Sequence, residues 1–370
     1  MSRFLFYDDK IINILLREEK PSGGAAVQAY GWIRGLAEAG QDIHVLTNFN
    51  SWEALKDECK DLKFLSLYDN KKGVRWLRWI YYRLPYIYKK IKHAKPDYLY
   101  GGIPGWESFI HALICRQLNV KFLLRISNDY LLDERVYKNL SKIQWYFLKM
   151  GMKLSYCLLC QNDYQLAMVK EIFPNKRVIK ISNPIFIKDV HFADEKTSRK
   201  YIAWIGLYQY QKNIGLLYEI AKLFKDELFY VAGKAGTNFD VDTSIQLEKL
   251  KGLPNVKFVG FLFRNEVLPF LAKAKFLLNT SHYEGFSNTF LEAMSVGTPI
   301  ISNSKVNPDS IISKYNLGIV YKDVPDLLKQ MDQINPNVYN LMSNNVKGYV
   351  SKFHNYKKQA NKLVSFLNNN

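Results

Sequence analysis

Residues 276–300 read FLLNTSHYEGFSNTFLEAMSVGTPI. The apolar run Phe276–Asn279 predicts a short buried strand, because it is brief and bounded by polar turn residues. A polar loop carrying Glu284 follows, and Gly285 allows a tight turn there. A helix is expected from near Ser287. Phe290, Leu291 and Met294 form its apolar side, and Gly297 ends it. The amides and dipole of such a helix start favour an anion. Two carboxylates, Glu284 and Glu292, bracket that position with seven residues between them. Acids beside a diphosphate repel it unless each faces a hydroxyl, and carboxylates accept well from sugar diols. A ligand made of a sugar, a diphosphate and a ribose in sequence satisfies all three features. Glu284 would hold the sugar, the helix start the phosphates and Glu292 the ribose.

Outward from this stretch, two segments read as openings of α/β domains. The first is a strand at Arg3–Tyr7, a loop with Gly23 and Gly24, a helix over Ala25–Ala39 and a strand at Asp42–Thr47. The second is a strand at Tyr201–Gly206, a polar loop, a helix over Ile214–Phe224 and a strand at Leu228–Ala232 that ends at Gly233. Further strands fit at Tyr98–Tyr100, Lys121–Ile126, Tyr156–Cys160, Val178–Ile181, Val256–Val259 and Pro299–Ser302. Strands alternating with helices imply parallel sheets with right-handed crossovers. A chain of 370 residues suits two domains. The boundary is placed at Asn183-Pro184, before the charged stretch Lys188–Lys200, because Pro184 disfavours helix at Asn183. The expected organisation is an N-terminal domain over 1–184, a C-terminal domain over 185–350 and a closing helix over 351–370.

The 281–300 wording is similar to the Glu-x7-Glu signature of the family-4 retaining glycosyltransferases, the glycogen-synthase-like group. That resemblance implies a GT-B fold: two Rossmann-like domains facing across a cleft, with the C-terminal helix packing back on the N-terminal domain. It implies a nucleotide diphosphate sugar held by Gly285, Phe286, Ser287, Asn288, Thr289 and Glu292, with Glu284 at the sugar. Gly23 and Gly24 resemble the family's glycine-rich loop. Gly206-Leu-Tyr-Gln-Tyr-Gln-Lys212-Asn213 resembles the loop whose Arg and Lys grip the diphosphate. Lys212 is kept and Leu207 stands at the Arg position, with Arg264 a nearby substitute. Gly233 fits the next glycine turn, and Gly260, Phe261 and Leu262 the cover of the base. Many members carry a His after an N-domain strand; here Ser127-Asn128-Asp129 stands instead. Asp129 then either contacts sugar or acceptor or caps the next helix, since Asn-Asp is ordinary turn chemistry. The resemblance implies catalysis by Glu284, Lys212 and Asp129, retention of configuration, no metal and no cofactor beyond the donor.

The net charge is +18, from 52 Lys and Arg against 34 Asp and Glu. An anionic partner follows. The excess is uneven: Lys71–Lys95 holds nine Lys and Arg, no acid, two Trp and four Tyr. Leu77, Tyr81, Leu84, Tyr88 and Ile91 step at helical spacing, with Pro85 a kink. Arg75, Trp76, Arg78, Trp79, Lys89, Lys90 and Lys92 are therefore candidates for an anionic membrane surface or a membrane-bound acceptor. The null is a solvated basic helix with its aromatics in the core. No zinc finger, RNA-recognition signature or basic zipper supports nucleic acid as partner. No apolar run approaches the 18 residues of a membrane span, and acids appear within eight residues of Met1, unlike a signal peptide. Four cysteines suit a reducing compartment, and Cys157-Leu-Leu-Cys160 reads as a buried strand without a second ligand pair. The expectation is a cytoplasmic enzyme at the inner face of the membrane, transferring sugar to a lipid-linked saccharide in bacterial surface polysaccharide synthesis. A nucleotide-sugar epimerase is the alternative. A basic nucleic-acid-binding protein is the reading from another class, and a dehydrogenase lacks its Gly-x-Gly-x-x-Gly.

Overall fold

The computed structural model describes residues 1–8, 11–17, 23–48, 55–69, 71–74, 77–138, 140–186, 199–236 and 239–369. Much of the expected linker stretch, residues 187–198, lies outside them. The chain divides into two compact units, Met1–Phe186 with Asn355–Asn370, and Ile187–His354.

The first unit is built on seven strands: β1 (Arg3–Tyr7), β2 (Asp42–Thr47), β3 (Lys63–Ser66), β4 (Tyr98–Gly101), β5 (Lys121–Arg125), β6 (Cys157–Cys160) and β7 (Val178–Lys180). They pair in parallel in the order β3-β2-β1-β4-β5-β6-β7. Its helices are α1 (Ile12–Leu15), α2 (Gly24–Glu38), α3 (Leu84–Ala94), α4 (Glu107–Gln117), α5 (Lys142–Leu154) and α6 (Asp163–Ile172). A parallel sheet must be covered on both faces, so the strand centres are largely apolar. One face buries Phe4, Phe6, Tyr98, Tyr100 and Leu123 with Ala29 and Ile33 of α2. The other buries Leu5, Leu99, Leu124 and Leu158 with Ile87 of α3, Ala112 of α4 and Leu148 of α5. Cys157 and Cys160 are free thiols inside this sheet. Burial pushes both up to about 12, which makes them inert core residues.

The second unit has six strands: β8 (Tyr201–Tyr208), β9 (Phe229–Ala235), β10 (Val256–Gly260), β11 (Ala274–Asn279), β12 (Ile300–Asn303) and β13 (Gly318–Tyr321). Their order is β10-β9-β8-β11-β12-β13, again parallel. The helices are α7 (Ile214–Leu223), α8 (Val241–Lys251), α9 (Arg264–Ala272), α10 (Asn288–Ser295), α11 (Ile311–Lys314), α12 (Val324–Asp332) and α13 (Pro336–Phe353). The last helix, α14 (Tyr356–Asn368), returns to the first unit. It closes on α2 at Gly35, where a Cβ would stand 2.5 Å from the Tyr356 carbonyl oxygen and 2.9 Å from the Ala360 Cβ.

Three expectations change. β9 does not stop at Gly233 but runs through it to Ala235. Gly233 pairs with Gly206 of β8, and a Cβ on it would collide with the Gly206 carbonyl oxygen. This glycine therefore serves close strand approach rather than a turn. Pro85 lies inside a continuous helical run, and the chain accommodates it by a widened turn: Trp79–Arg83, directly before α3, is a π-helix. The expected stripe holds only in its second half: Ile91 is buried and Tyr88 packs inward, joined by Ile87 and Ala94, whereas Leu77 and Tyr81 are exposed.

The Gly233–Gly206 approach gives a direct test. Gly233→Ala should destabilise the protein by about 2 kcal/mol, the scale of overpacking against a backbone that cannot yield. Gly348→Ala in α13, where a Cβ meets nothing within 4 Å, should be neutral or stabilising. Denaturation midpoints of the two variants decide it, and equal midpoints would contradict the close-approach argument.

Candidate donor site in the second unit

In the order β10-β9-β8-β11-β12-β13, successive connections run one way from β8 and the other way from β11. The point between β8 and β11 is where chain direction across the sheet reverses, and ligands of open parallel sheets sit outside the strand ends there. The two loops leaving that point carry Lys212 and Glu284. They meet: Lys212 Nζ lies 2.5 Å from Glu284 Oε1, with side chains 18% and 11% exposed. Ser281 Oγ donates to the same carboxylate oxygen at 2.9 Å.

Local bonds hold the two loops together. The Trp204 indole donates to Thr280 Oγ1 at 3.0 Å, and Thr280 donates to the Lys212 carbonyl at 2.7 Å. The His282 amide donates to the Gln211 carbonyl at 2.8 Å, and Gln211 Nε2 donates to the Tyr283 carbonyl at 3.0 Å. The His282 ring stacks on Tyr210 at 4.7 Å. Asn213 takes a left-handed conformation at φ 50° and caps α7 by accepting from the Leu216 amide. Asn tolerates that region better than other residues with a Cβ, which explains the residue after Lys212.

The helix expected near Ser287 is α10, and Ser287 is its N-cap residue. The Ser287 hydroxyl pairs with Thr289 Oγ1 at 2.7 Å, and no side chain caps the helix. Gly285 and Phe286 are buried, with the Phe286 ring 4.9 Å from His354, and Asn288 and Thr289 are half-buried in the first turn. The tight turn does not use Gly285, which is absent from the positive-φ glycines; Gly297, at φ 76°, ends the helix as expected.

Glu292 lies one turn into α10 and is 5% exposed. Its carboxylate forms an ion pair with Arg264 at the start of α9. Burial raises the Glu292 pKa, and the Arg264 charge opposes that rise. The substitute cation for Leu207 is thus tied to the second carboxylate. Sequence reading missed another cation. Lys234 on β9 stands opposite Leu207 in register, with its Nζ 4.3 Å above the Phe261 ring. Gly260 is left-handed at φ 79° and leads into Phe261 and Leu262, both half-buried. Only the β8–β9 register brings Lys234 beside Leu207, so no spacing in the sequence reveals it.

The remaining candidates lie in the first unit. Gly23 is the N-cap residue of α2 and Gly24 its first residue; a Cβ on Gly23 would meet nothing within 4 Å. Asn128, not Asp129, caps the following turn, by accepting from the Tyr130 amide. Asp129 Oδ1 instead accepts from Asn162 at 3.0 Å and Gln165 at 2.8 Å. Burial raises its pKa, and those two bonds work against the rise. In the basic segment, Trp79 packs 5.0 Å from Trp106 and lies under Arg83, and Lys90 lies over Tyr86. Arg78 is half-buried, while Lys89 and Lys92 are exposed. Arg75 and Trp76 lie outside the described residues. Val74 and Ile80, at 54% and 72% exposure, present apolar surface that helical spacing did not single out, and Tyr81 of the expected stripe joins them at 53%. Among the described residues, no helix is long and apolar enough to cross a membrane.

Two Rossmann-like units, the second with its cation and carboxylates at the switch point, define a protein of GT-B fold. Residues 199–335, within the second unit, match the family described as glycosyl transferases group 1. Among curated proteins, a 2-deoxystreptamine N-acetyl-D-glucosaminyltransferase of Niallia circulans is 23% identical over 174 residues, 46% of this chain. The match spans 43% of that relative's length. Among solved structures, Anabaena Alr3699/HepE in complex with UDP and glucose superposes with a TM-score of 0.75 at 12% identity, over the whole of both chains. WaaG, a glycosyltransferase involved in lipopolysaccharide biosynthesis, gives 0.68 at 16% identity over 98% of each chain.

The buried Arg264–Glu292 pair should carry a pH signature. A raised carboxyl pKa means the folded protein holds its proton longer than the unfolded chain, so stability falls as pH rises through the folded value. Arg264→Met removes the opposing charge and enlarges that loss. The variant should be destabilised by about 3–5 kcal/mol at pH 8 and distinctly less at pH 5. Adding Glu292→Gln should flatten the difference. Denaturation at the two pH values checks this, and a pH-independent loss would show that the pair acts by packing alone.

Proposed function

We propose that the chain is a retaining glycosyltransferase that moves a sugar from a nucleotide diphosphate sugar to a saccharide acceptor. The Lys212–Glu284 pair at the β8–β11 switch point carries this reading. A cation and a carboxylate side by side suit a diphosphate joined to a polyhydroxylated sugar, the phosphate meeting the ammonium and a hydroxyl meeting the carboxylate. Lys212 and the start of α10 would stabilise the diphosphate as it leaves, the main electrostatic contribution to the rate. Glu284 would position the sugar and Glu292 the ribose. Neither needs to act as a nucleophile, and the acceptor hydroxyl would lose its proton to the departing diphosphate. No metal or further cofactor enters this scheme.

Glu284→Ala should abolish transfer and, because it leaves Lys212 without its carboxylate, lower the thermal transition of the free protein while leaving it folded. Near-normal turnover would sink the assignment. A thermal-shift screen of UDP-, GDP- and ADP-sugars identifies the donor, because binding raises apparent stability. Product formed from donor with no acceptor present would favour the epimerase alternative instead.

The acceptor is proposed to be a lipid-linked saccharide reached from an anionic membrane surface on the cytoplasmic side, within bacterial surface polysaccharide synthesis. The basic composition of Lys71–Lys95 and the exposed Val74, Ile80 and Tyr81 support it. Basic side chains beside exposed apolar ones suit an interface, each cation near an anionic leaflet contributing about 1 kcal/mol. Neutralising Lys89, Lys90 and Lys92 to Gln should weaken binding to vesicles containing phosphatidylglycerol and leave donor-induced thermal shifts unchanged. Loss of the donor shift would refute that assignment of the segment.

A further inference from the structure

Arg125 is the last residue of β5, and its side chain is 4% exposed. Among the described residues its one hydrogen bond is long, from Nη1 to the Gly102 carbonyl at 3.4 Å. Among the described residues its Nε donates to nothing. Burial pulls its pKa down to about 10, so it remains charged at neutral pH, and no carboxylate of the described residues bears on it. The Tyr100 hydroxyl, in a residue 2% exposed, has no hydrogen-bond partner among the described residues, and the Asp8 carboxylate bears on it. Tyr100 pairs with Leu123, two residues before Arg125, so the two side chains share a face of the sheet. They also flank one residue: a Cβ on Gly102 would lie 3.9 Å from the Tyr100 hydroxyl, while the Gly102 carbonyl accepts from Arg125.

This place has a topological meaning. In the order β3-β2-β1-β4-β5-β6-β7, the direction reverses between β1 and β4, and Gly102 leaves the carboxyl end of β4. Arg125 and Tyr100 therefore stand at the ligand-binding rim of the first sheet. A buried guanidinium without a counter-charge is costly, and so is a buried hydroxyl without a partner. Both are hydrogen-bond donors, so the group that would offset both costs is an oxyanion.

We infer that Arg125 and the Tyr100 hydroxyl form an oxyanion site in the first unit, taking a phosphate or carboxylate group carried by the acceptor. The inference rests on the reading of the chain as a transferase with its acceptor on this unit. A diphosphate linkage and a uronic acid supply the same chemistry, so the experiment separates them.

UDP is first added to saturation, to fill the diphosphate position of the second unit. Thermal shifts are then read with inorganic pyrophosphate, with glucuronate and with methyl glucoside as neutral control. Wild type should be stabilised by one of the two oxyanions. Arg125→Met should weaken that oxyanion at least about tenfold and leave the UDP shift intact. Without ligand, Arg125→Met should melt at or above the wild-type temperature, because an unpaired buried charge is lost. Tyr100→Phe, which removes one hydroxyl, should weaken the same oxyanion severalfold and keeps the test open if Arg125→Met does not fold. A response to pyrophosphate alone assigns a diphosphate, and a response to glucuronate alone a sugar acid. Oxyanion affinity equal to wild type in both variants, or no oxyanion shift in wild type, overturns the inference. If UDP fails to shift the wild type, GDP and ADP are tried in its place, and failure of all three sinks the donor reading instead, while the Arg125→Met comparison with glucuronate remains readable.

Discussion

On the donor reading, the second unit is organised around a single electrostatic constraint: two carboxylates stand where an anion is to bind. Bare, they would repel it, and Glu292, at 5% exposure, could not stay ionised without help. The fold answers with one cation for each, Lys212 for Glu284 and Arg264 for Glu292. Much of the local architecture keeps these four side chains in register. Gly233 lets β9 approach β8 closely, the Trp204–Thr280 bond ties the two loops, and Asn213 starts α7 directly after Lys212. On the donor reading the first pair is also a device for discrimination. A diphosphate draws Lys212 away, and the freed carboxylate then needs a hydroxyl to replace the lost partner. A nucleotide alone supplies the first contact; a nucleotide sugar supplies both.

How much of this could be read beforehand depended on how local the cause was. β1 and β2 were legible to the residue, because a mostly buried strand between turn residues leaves a short, largely apolar run. The strand–loop–helix around Glu284 was legible for the same reason, and so was the end of α10 at Gly297. β3 and β13 were not seen. They are four-residue edge strands; β3 has no fully buried residue and only two apolar ones, and β13 offers only the three-residue run 319–321. The site divides in the same way. Glu284 and Glu292 were visible from spacing within one motif, and Lys212 from the resemblance of the separate 206–213 loop. Lys234 beside Leu207 depends on pairing between strands. The partnership of Arg264 with Glu292 joins residues 28 apart, and Arg125 with Tyr100 joins adjacent strands; neither leaves a trace in local periodicity.

The basic segment shows how composition and placement diverge. Nine cations with six Trp and Tyr in 25 residues read as one interfacial surface. In the fold, several of those aromatics are taken up inside the unit: Tyr82 and Tyr86 pack around Tyr68, Trp79 against Trp106, and Arg83 caps both Tyr68 and Trp79. The null of an aromatic core thus holds for that half, while Val74, Ile80 and Tyr81 remain outside with Lys89 and Lys92. The π-turn before Pro85 adds to this division, since widening the helix by one residue per turn rotates the residues before it relative to those after.

The two units therefore treat buried cations in opposite ways. In the second, Lys212 and Arg264 each already have a carboxylate, so on the donor reading a ligand would enter by exchange and the free protein carries little electrostatic cost. In the first, among the described residues, Arg125 has no carboxylate and the Tyr100 hydroxyl no hydrogen-bond partner, so the free protein bears the desolvation of both. Exchange favours selectivity, because the displaced carboxylate must be satisfied by another part of the same ligand. An unpaired cation favours affinity for any oxyanion that fits, since nothing has to be displaced. On the proposed reading the selective arrangement falls on the nucleotide sugar, where the cell offers many similar nucleotides. The unpaired one falls on the acceptor, where recognition can rest on shape and surface as well as charge.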